Sequence, residues 1–450
     1  MSHSEDCNTR QRSIWSLLRS IPRAASEAIS GFTASWTASS ELRRRRKTLT
    51  WNEGATRSIS RLLDKTAEGC QRERYGQTMK LEPIPKDPSD GNELDLSEPE
   101  LQLVKQIHEA VADANLSNIT RTRAYLDLYR EYPEIHWAFL AHMVSRNGGW
   151  NMSDIKSGLM SDLTDNDFKY HLYRFLERCN ALIFQDAYPQ LLLYKHSKQM
   201  ERSYFHLLPY FHVSAFMTPF WDRFWIDRNS SLLSVALIIN EQNYIEDRVV
   251  QHPYFRKHVL DHPSFRLHEL MRLNQIIFPL GEVQCKGNLF KDRILPLRPL
   301  VGMSLSHFNS LSSRIKIGKS LYAMLFGYED IYQGVLQFAL STPHLGSRAE
   351  YWPALFTTKP DQAMNSLEES NELLQSEWLP VNHRLYSPLL ESVWHDTEYE
   401  PIPRFDWFQE PTMLRHLSKP IRPFLVDMTH AHRSGLERIA FTHDMDIRLS

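Results

Sequence analysis

The stretch Glu131–Trp150, EYPEIHWAFLAHMVSRNGGW, decides the fold class: it is an apolar helical stretch carrying His136, His142, Arg146 and Asn147 where a plain core would have leucine. Two more stretches share this character, FLERCNALIFQDAYPQLLLY from Phe175 to Tyr194 and SVALIINEQNYIEDRV from Ser234 to Val249. A buried polar group must be paired or it costs stability, so these groups form either a structural network or a site.

Working outward, Ser97-Glu98-Pro99-Glu100 places a cap before a proline in the first helical turn, and Leu101, Val104, Ile107 and Val111 follow at helical spacing. Further helices are expected near 120–130, 134–147, 167–188, 190–203, 231–250, 265–277, 305–326 and 330–340. Pro189 is expected to bend or break the helix that contains it. No alternating strand pattern or hairpin turn stands out. The expected fold is therefore mostly α, one large multi-helix domain over 96–360. It is preceded by a basic, partly disordered tail and linker over 1–95 and followed by an irregular extension over 361–450 that packs on the core.

The 450 residues are 42% hydrophobic, with 22 Phe, 18 Tyr and 11 Trp but 16 Gly, which excludes disorder throughout and favours helices with short connections. A net charge of -2 gives the whole molecule no attraction for nucleic acid. Residues 1–80 hold 15 Lys and Arg against 8 Asp and Glu. In that tail Ile14, Leu17, Leu18 and Ile21 mark one short amphipathic helix, and Arg43, Arg44, Arg45 and Arg46 offer contact with anionic lipid or nucleic acid. The alternative is a solvated tail. No segment has the apolar length of a membrane helix and no signal-peptide core is visible, while Cys7, Cys70, Cys179 and Cys285 lie far apart, as in a reducing compartment. A cytoplasmic protein is expected.

Several patterns can be excluded as chemistry. Gly318-Lys319-Ser320 resembles the end of a phosphate loop, but Ser313 stands where the first glycine is required. The 20 His include no HExxH and no zinc-finger spacing, so a metal is unsupported and no cofactor is indicated. The aromatic-dense segment Arg202–Trp225 reads as core or as a pocket wall.

If the polar stripes converge, His136 or His142 is the candidate acid or base. Glu177, Glu241 or Glu246 is the partner carboxylate or a hard-metal ligand, and Arg146 or Arg348 binds an anion. Asn147, Asn180, Asp186 and His344 complete the ligand-binding candidates, with Arg348 and His344 in the loop TPHLGSRAEYWP, Thr342–Pro353. The competing reading pairs these charges with one another and gives them only a packing role. Three kinds of protein stay open: a ligand- or partner-binding protein, a hydrolase- or lyase-type enzyme acting on an anionic small molecule, and a peripheral adaptor using the tail.

Five blocks carry a resemblance: Thr120–Arg123, Pro133–Met152, Leu182–Tyr194, Ala236–Glu246 and Gly346–Pro353. Over most of residues 97 to about 400 the chain resembles the domain-of-unknown-function family 2515 of spore-forming Gram-positive bacteria. The resemblance implies a soluble bacterial protein with a helical core and supplies no activity, cofactor or catalytic residue.

Overall fold

Ten helices of ten residues or more and two small sheets stand among the residues that the computed structural model describes, 30–78, 96–157, 165–265, 274–281, 297–362, 384–397 and 406–436. The helices are α1 (30–42), α2 (Glu53–Thr78), α3 (Glu98–Ala114), α4 (Asn118–Glu131), α5 (His136–Asp154), α6 (Asn166–Gln199), α7 (Thr218–Asp227), α8 (Ser230–Ile245), α9 (Leu311–Gly327) and α10 (Glu329–Ser341). The mostly helical fold expected from the sequence is what the chain adopts. The amphipathic segment 14–21 lies outside the described residues.

Local sequence fixes where these helices begin. The cap expected at Ser97-Glu98-Pro99-Glu100 is present as a capping box, with Glu100 Oε2 accepting from the Ser97 amide at 3.0 Å. Asp165 and Asn229 cap α6 and α8, their side-chain oxygens accepting from the amides of Phe168 and Leu232. Pro189 does not break its helix: α6 is continuous over 34 residues with the proline inside it. The proline removes one backbone donor, and the side-chain amide of Gln190 donates to the Asp186 carbonyl at 3.0 Å, supplying a bond within the disturbed turn.

Helix α8 is the centre. Its residues from Ser231 to Asn240 are all buried, so it has no solvent face and must be surrounded. Helices α5, α6, α7 and α9 surround it, and α4 packs along α5 as its hairpin partner. Gly318-Lys319-Ser320 lies in the middle of α9 and is no phosphate loop.

Two findings depart from the sequence reading. Residues 275–277, expected as the end of a helix, belong to strand β1 (Gln275–Pro279), which pairs antiparallel with β2 (Leu300–Ser304). All but Ile276 in β1 are buried, so its apolar run shows no alternation to distinguish it from a helix. Residues 30–67, assigned to the tail, contribute Leu42, Leu49, Ile59 and Leu63 to the same apolar cluster as Phe139 and Ile238. Packed chain therefore extends well N-terminal of residue 96.

The C-terminal segments lie on this core. Val426–Met428 runs along the free edge of β2, where Gly302 donates to the Val426 carbonyl at 3.0 Å and Met428 to the Leu300 carbonyl at 2.8 Å. Strands β3 (Phe356–Thr357) and β4 (Leu385–Tyr386) pair in parallel, and Trp394 stacks on Tyr173 at 3.7 Å. A side chain at Gly302 would press into the Ile276 carbonyl, which is backbone and unable to swing aside. Gly302→Ala is therefore expected to cost about 3 kcal/mol, at the upper end for overpacking. An unchanged urea midpoint would show that the β1–β2 pairing is looser than described.

Candidate functional site

Along α5 the residues His142, Arg146, Trp150 and Asp154 recur at every fourth position and so share one face. That face receives the connection Thr342–Trp352. Arg146, fully buried, reaches Glu350 with Nη2 at 2.7 Å and Nε at 3.1 Å, and also donates to the carbonyls of Thr342 and Pro343. The other oxygen of Glu350 accepts from the amides of Leu345 and Gly346, both at 2.7 Å. Burial opposes ionisation of Glu350, but His344 and Arg146 hold its carboxyl down at about 2. Arg146 is the permanent cation of the two, because burial lowers the pKa of His344 itself.

His344 places Nε2 2.9 Å from Asn118 Oδ1, and the Asn118 amide donates to the Ser145 carbonyl on α5. Gly149 makes this approach possible, since a side chain there would overlap both Asn118 and His344. His142 contacts the Thr122 carbonyl through Nδ1 at 2.8 Å; burial, with Arg146 nearby, drives its pKa to about 3 and keeps the ring neutral. One turn further on, Arg348 makes a bidentate contact with Asp154 and also meets Tyr351 and His432. His432 in turn contacts Gln275 on β1 at 2.8 Å. The arrangement locks the 342–352 connection and strand β1 onto α5.

The remaining expected residues are dispersed. His136 stacks on Phe326 at 4.0 Å and contacts the Tyr322 hydroxyl, with its pKa driven by burial to about 3. Asn147 clamps β1, donating to the Gln275 carbonyl and accepting from the Ile277 amide at 3.0 Å. Glu177 pairs with Arg121, Glu246 with Arg314, and Asn180 donates to its own helix at the Leu176 carbonyl. Among the described residues no three His, Cys, Asp or Glu side chains are grouped so as to hold a metal ion.

Asp186 and Glu241 differ from all of these, because neither has a cation within ion-pair distance among the described residues. Asp186 is buried on α6, with one oxygen accepting from Gln190 and Asn240 and the other, Oδ1, without a partner. Glu241, at the α8 end of the same region, accepts from the Trp137 indole at 3.0 Å and from Gln242. Burial pushes Asp186 up to about 7 and Glu241 up to about 8, and Asp186 raises Glu241 further. Glu241 is only partly buried and keeps some accessible surface. The buried Tyr125 hydroxyl on α4 lies in the electrostatic range of both carboxyls and has no hydrogen-bond partner. Around it, Trp137, Phe184 and Tyr188 form an aromatic wall, with ring centroids 5.2–6.4 Å from that of Tyr125.

Residues 113–432 match the family described as a protein of unknown function, DUF2515. The chain belongs to the DUF2515 family. It is 39% identical over 264 residues, 58% of this chain and 77% of the relative, to the uncharacterised protein YppC of Bacillus subtilis strain 168. No solved structure matches. Among the described residues, this DUF2515 chain has no helix long and apolar enough to cross a membrane.

Sequence reasoning missed Glu350, Asp154 and Tyr125. The i, i+4 series from His142 through Arg146 to Asp154 was a usable signal for Asp154. Nothing local marks Tyr125, whose role depends on three helices meeting.

Proposed function

We propose that this protein binds a small molecule through the buried carboxyls of Asp186 and Glu241, while its other polar stripes specify helix packing. The observation supporting this is the contrast in pairing. The charges Arg146 and Asp154 on the α5 face are both held in direct ion pairs, whereas among the described residues neither of these two carboxyls has one, Asp186 feeling Arg248 only at longer range, and they sit beside an unpartnered tyrosine hydroxyl. A donor-rich group such as an amine or amidine would supply the missing bonds, and the aromatic wall suits its positive charge. Native mass spectrometry of the full chain with benzylamine or benzamidine is expected to show one bound molecule, lost in Asp186→Asn and Glu241→Gln. A chain that stays bare at neutral pH, with unmoved Tm, sinks the reading.

A second reading is an enzyme of hydrolase or lyase type, favoured by two neighbouring carboxyls pushed toward neutral pH, where a general acid or base works best. In it Asp186 and Glu241 replace His136 and His142 as the proton-transfer groups. The anionic substrate envisaged for Arg146 and Arg348 finds those guanidiniums already engaged by Glu350 and Asp154. The four separated cysteines, with Cys179 free and buried, support a cytoplasmic setting. Of the run Arg43–Arg46, the residues Arg43, Arg44 and Arg46 supply the cationic part of a contact with anionic lipid or nucleic acid, Arg45 being paired with Asp330.

A further inference from the structure

We propose that the face formed by α1 and the loop 421–425 docks this protein on a membrane surface carrying anionic lipid. The proposal deepens the cationic contact at Arg43–Arg46 and is independent of the carboxyl site. Exposed single hydrophobes are ordinary, but here Phe32, Trp36, Ile421, Phe424 and Leu425 are 57%, 46%, 81%, 55% and 41% exposed. The first two and Phe424 are contiguous, with ring centroids 6.1 Å apart for Phe32 and Trp36 and 4.7 Å for Trp36 and Phe424.

The face is held in shape from beneath. Ser39 on α1 accepts the amides of Val426 and Asp427 through Oγ at 3.1 and 3.0 Å, and Ser35 donates to Asp427 at 2.7 Å. Arg422 donates to the Lys47 carbonyl at 2.6 Å, tying the loop to the basic run. The apolar side chains are therefore displayed by bonded backbone.

A cation borders the aromatic surface, and the basic run continues from it. The Arg43 guanidinium lies 3.8 Å over the Phe424 ring and is the cation in direct contact with the surface; close by in the chain, Arg44 and Arg46 are exposed, and among the described residues Arg46 has no carboxylate partner and Arg44 meets Glu41 at 4.0 Å. Arg45 and Lys47 are neutralised by Asp330 and Glu329. Aromatic and aliphatic groups that enter the headgroup region, beside arginines that attract acidic headgroups, are the two components of interfacial binding. The aliphatic component favours lipid over nucleic acid, because Ile421, the most exposed of the five, neither stacks on a base nor contacts phosphate. A second copy docking on the same face by two-fold symmetry would set the arginines against each other.

Co-sedimentation of the full chain with phosphatidylcholine vesicles, with and without phosphatidylglycerol, tests this. Substitution is used because Leu42, Leu49, Ile59 and Leu63 belong to the core and truncation would disturb it. The intact protein is expected to bind the anionic vesicles and to be released by salt. Ile421→Ser with Phe424→Ser should weaken binding roughly tenfold or more, and Arg46→Glu should weaken it with a shallower salt dependence. The idea is overturned by absence of binding at low salt, or by unchanged binding in the serine variant. It is equally overturned by duplex DNA binding that the same variant abolishes, by a concentration-dependent oligomer that it dissolves, or by a marked fall in its Tm, which would place the face against the chain's own residues.

Discussion

Arg146→Met is expected to remove about 3–5 kcal/mol of folding stability at pH 7, because it strands Glu350 as a buried anion. Methionine fills much of the arginine's volume, so the loss is electrostatic more than a cavity effect. The sign of the pH dependence follows from Glu350. Its carboxyl is held at about 2, below its unfolded value, so its stabilising contribution is complete above roughly pH 4.3 and is lost as pH falls toward 2. The defect of Arg146→Met should therefore be largest near neutrality and shrink in acid. Arg146→Lys should recover only part of the loss, since an ammonium cannot reproduce the fork that holds Glu350 and two carbonyls together. Adding Glu350→Gln to Arg146→Met should recover more, because no buried charge then remains unpaired. Equal urea midpoints for the wild type and Arg146→Met would remove the α5 lock from the account.

This lock also shows what was legible in the sequence and what was not. Helical spacing exposed α5 and its polar face, and the capping pattern at Ser97 located the start of α3, because both are set by neighbours within a few residues. The partners of Arg146 and Arg348 were unequally visible: Asp154 lies on the same helix face, whereas Glu350 comes from a connection about 200 positions away. The break considered at Pro189 does not occur, because α6 is held through it by packing on α8, which the local sequence does not display. Strand β1 was hidden for a related reason. Buried on nearly every side, it offers a plain apolar run whose strand character depends on β2 and on the Asn147 clamp from α5. The carboxyls were visible as residues, but their lack of a direct ion-pair partner among the described residues is a property of the assembled helices alone.

Glu241→Gln is expected to make the protein more stable at pH 8 and to leave it unchanged near pH 4. The wild-type carboxyl is pushed by burial to about 8, above its unfolded value near 4.3. A raised carboxyl contributes its full stability only below the unfolded pKa, and that contribution is lost as pH rises toward the folded value, because the unfolded chain releases the proton freely and the folded chain resists. Each pH unit in that window is worth about 1.4 kcal/mol for an ideal single site. Residual access of Glu241 to solvent and its coupling to Asp186 reduce this, so a gain of about 2 kcal/mol at pH 8 is the expected scale. Asp186→Asn should behave alike with a window ending near 7, and the double variant should gain less than the sum, because each substitution already relieves the other carboxyl. The same experiment bears on function. A structural hydrogen-bond acceptor is selected to stabilise, and its removal destabilises at every pH. A binding group is tolerated despite its cost, so variants that gain stability while losing amine binding would mark Asp186 and Glu241 as the site, whereas variants that melt earlier at every pH would return both to the packing network.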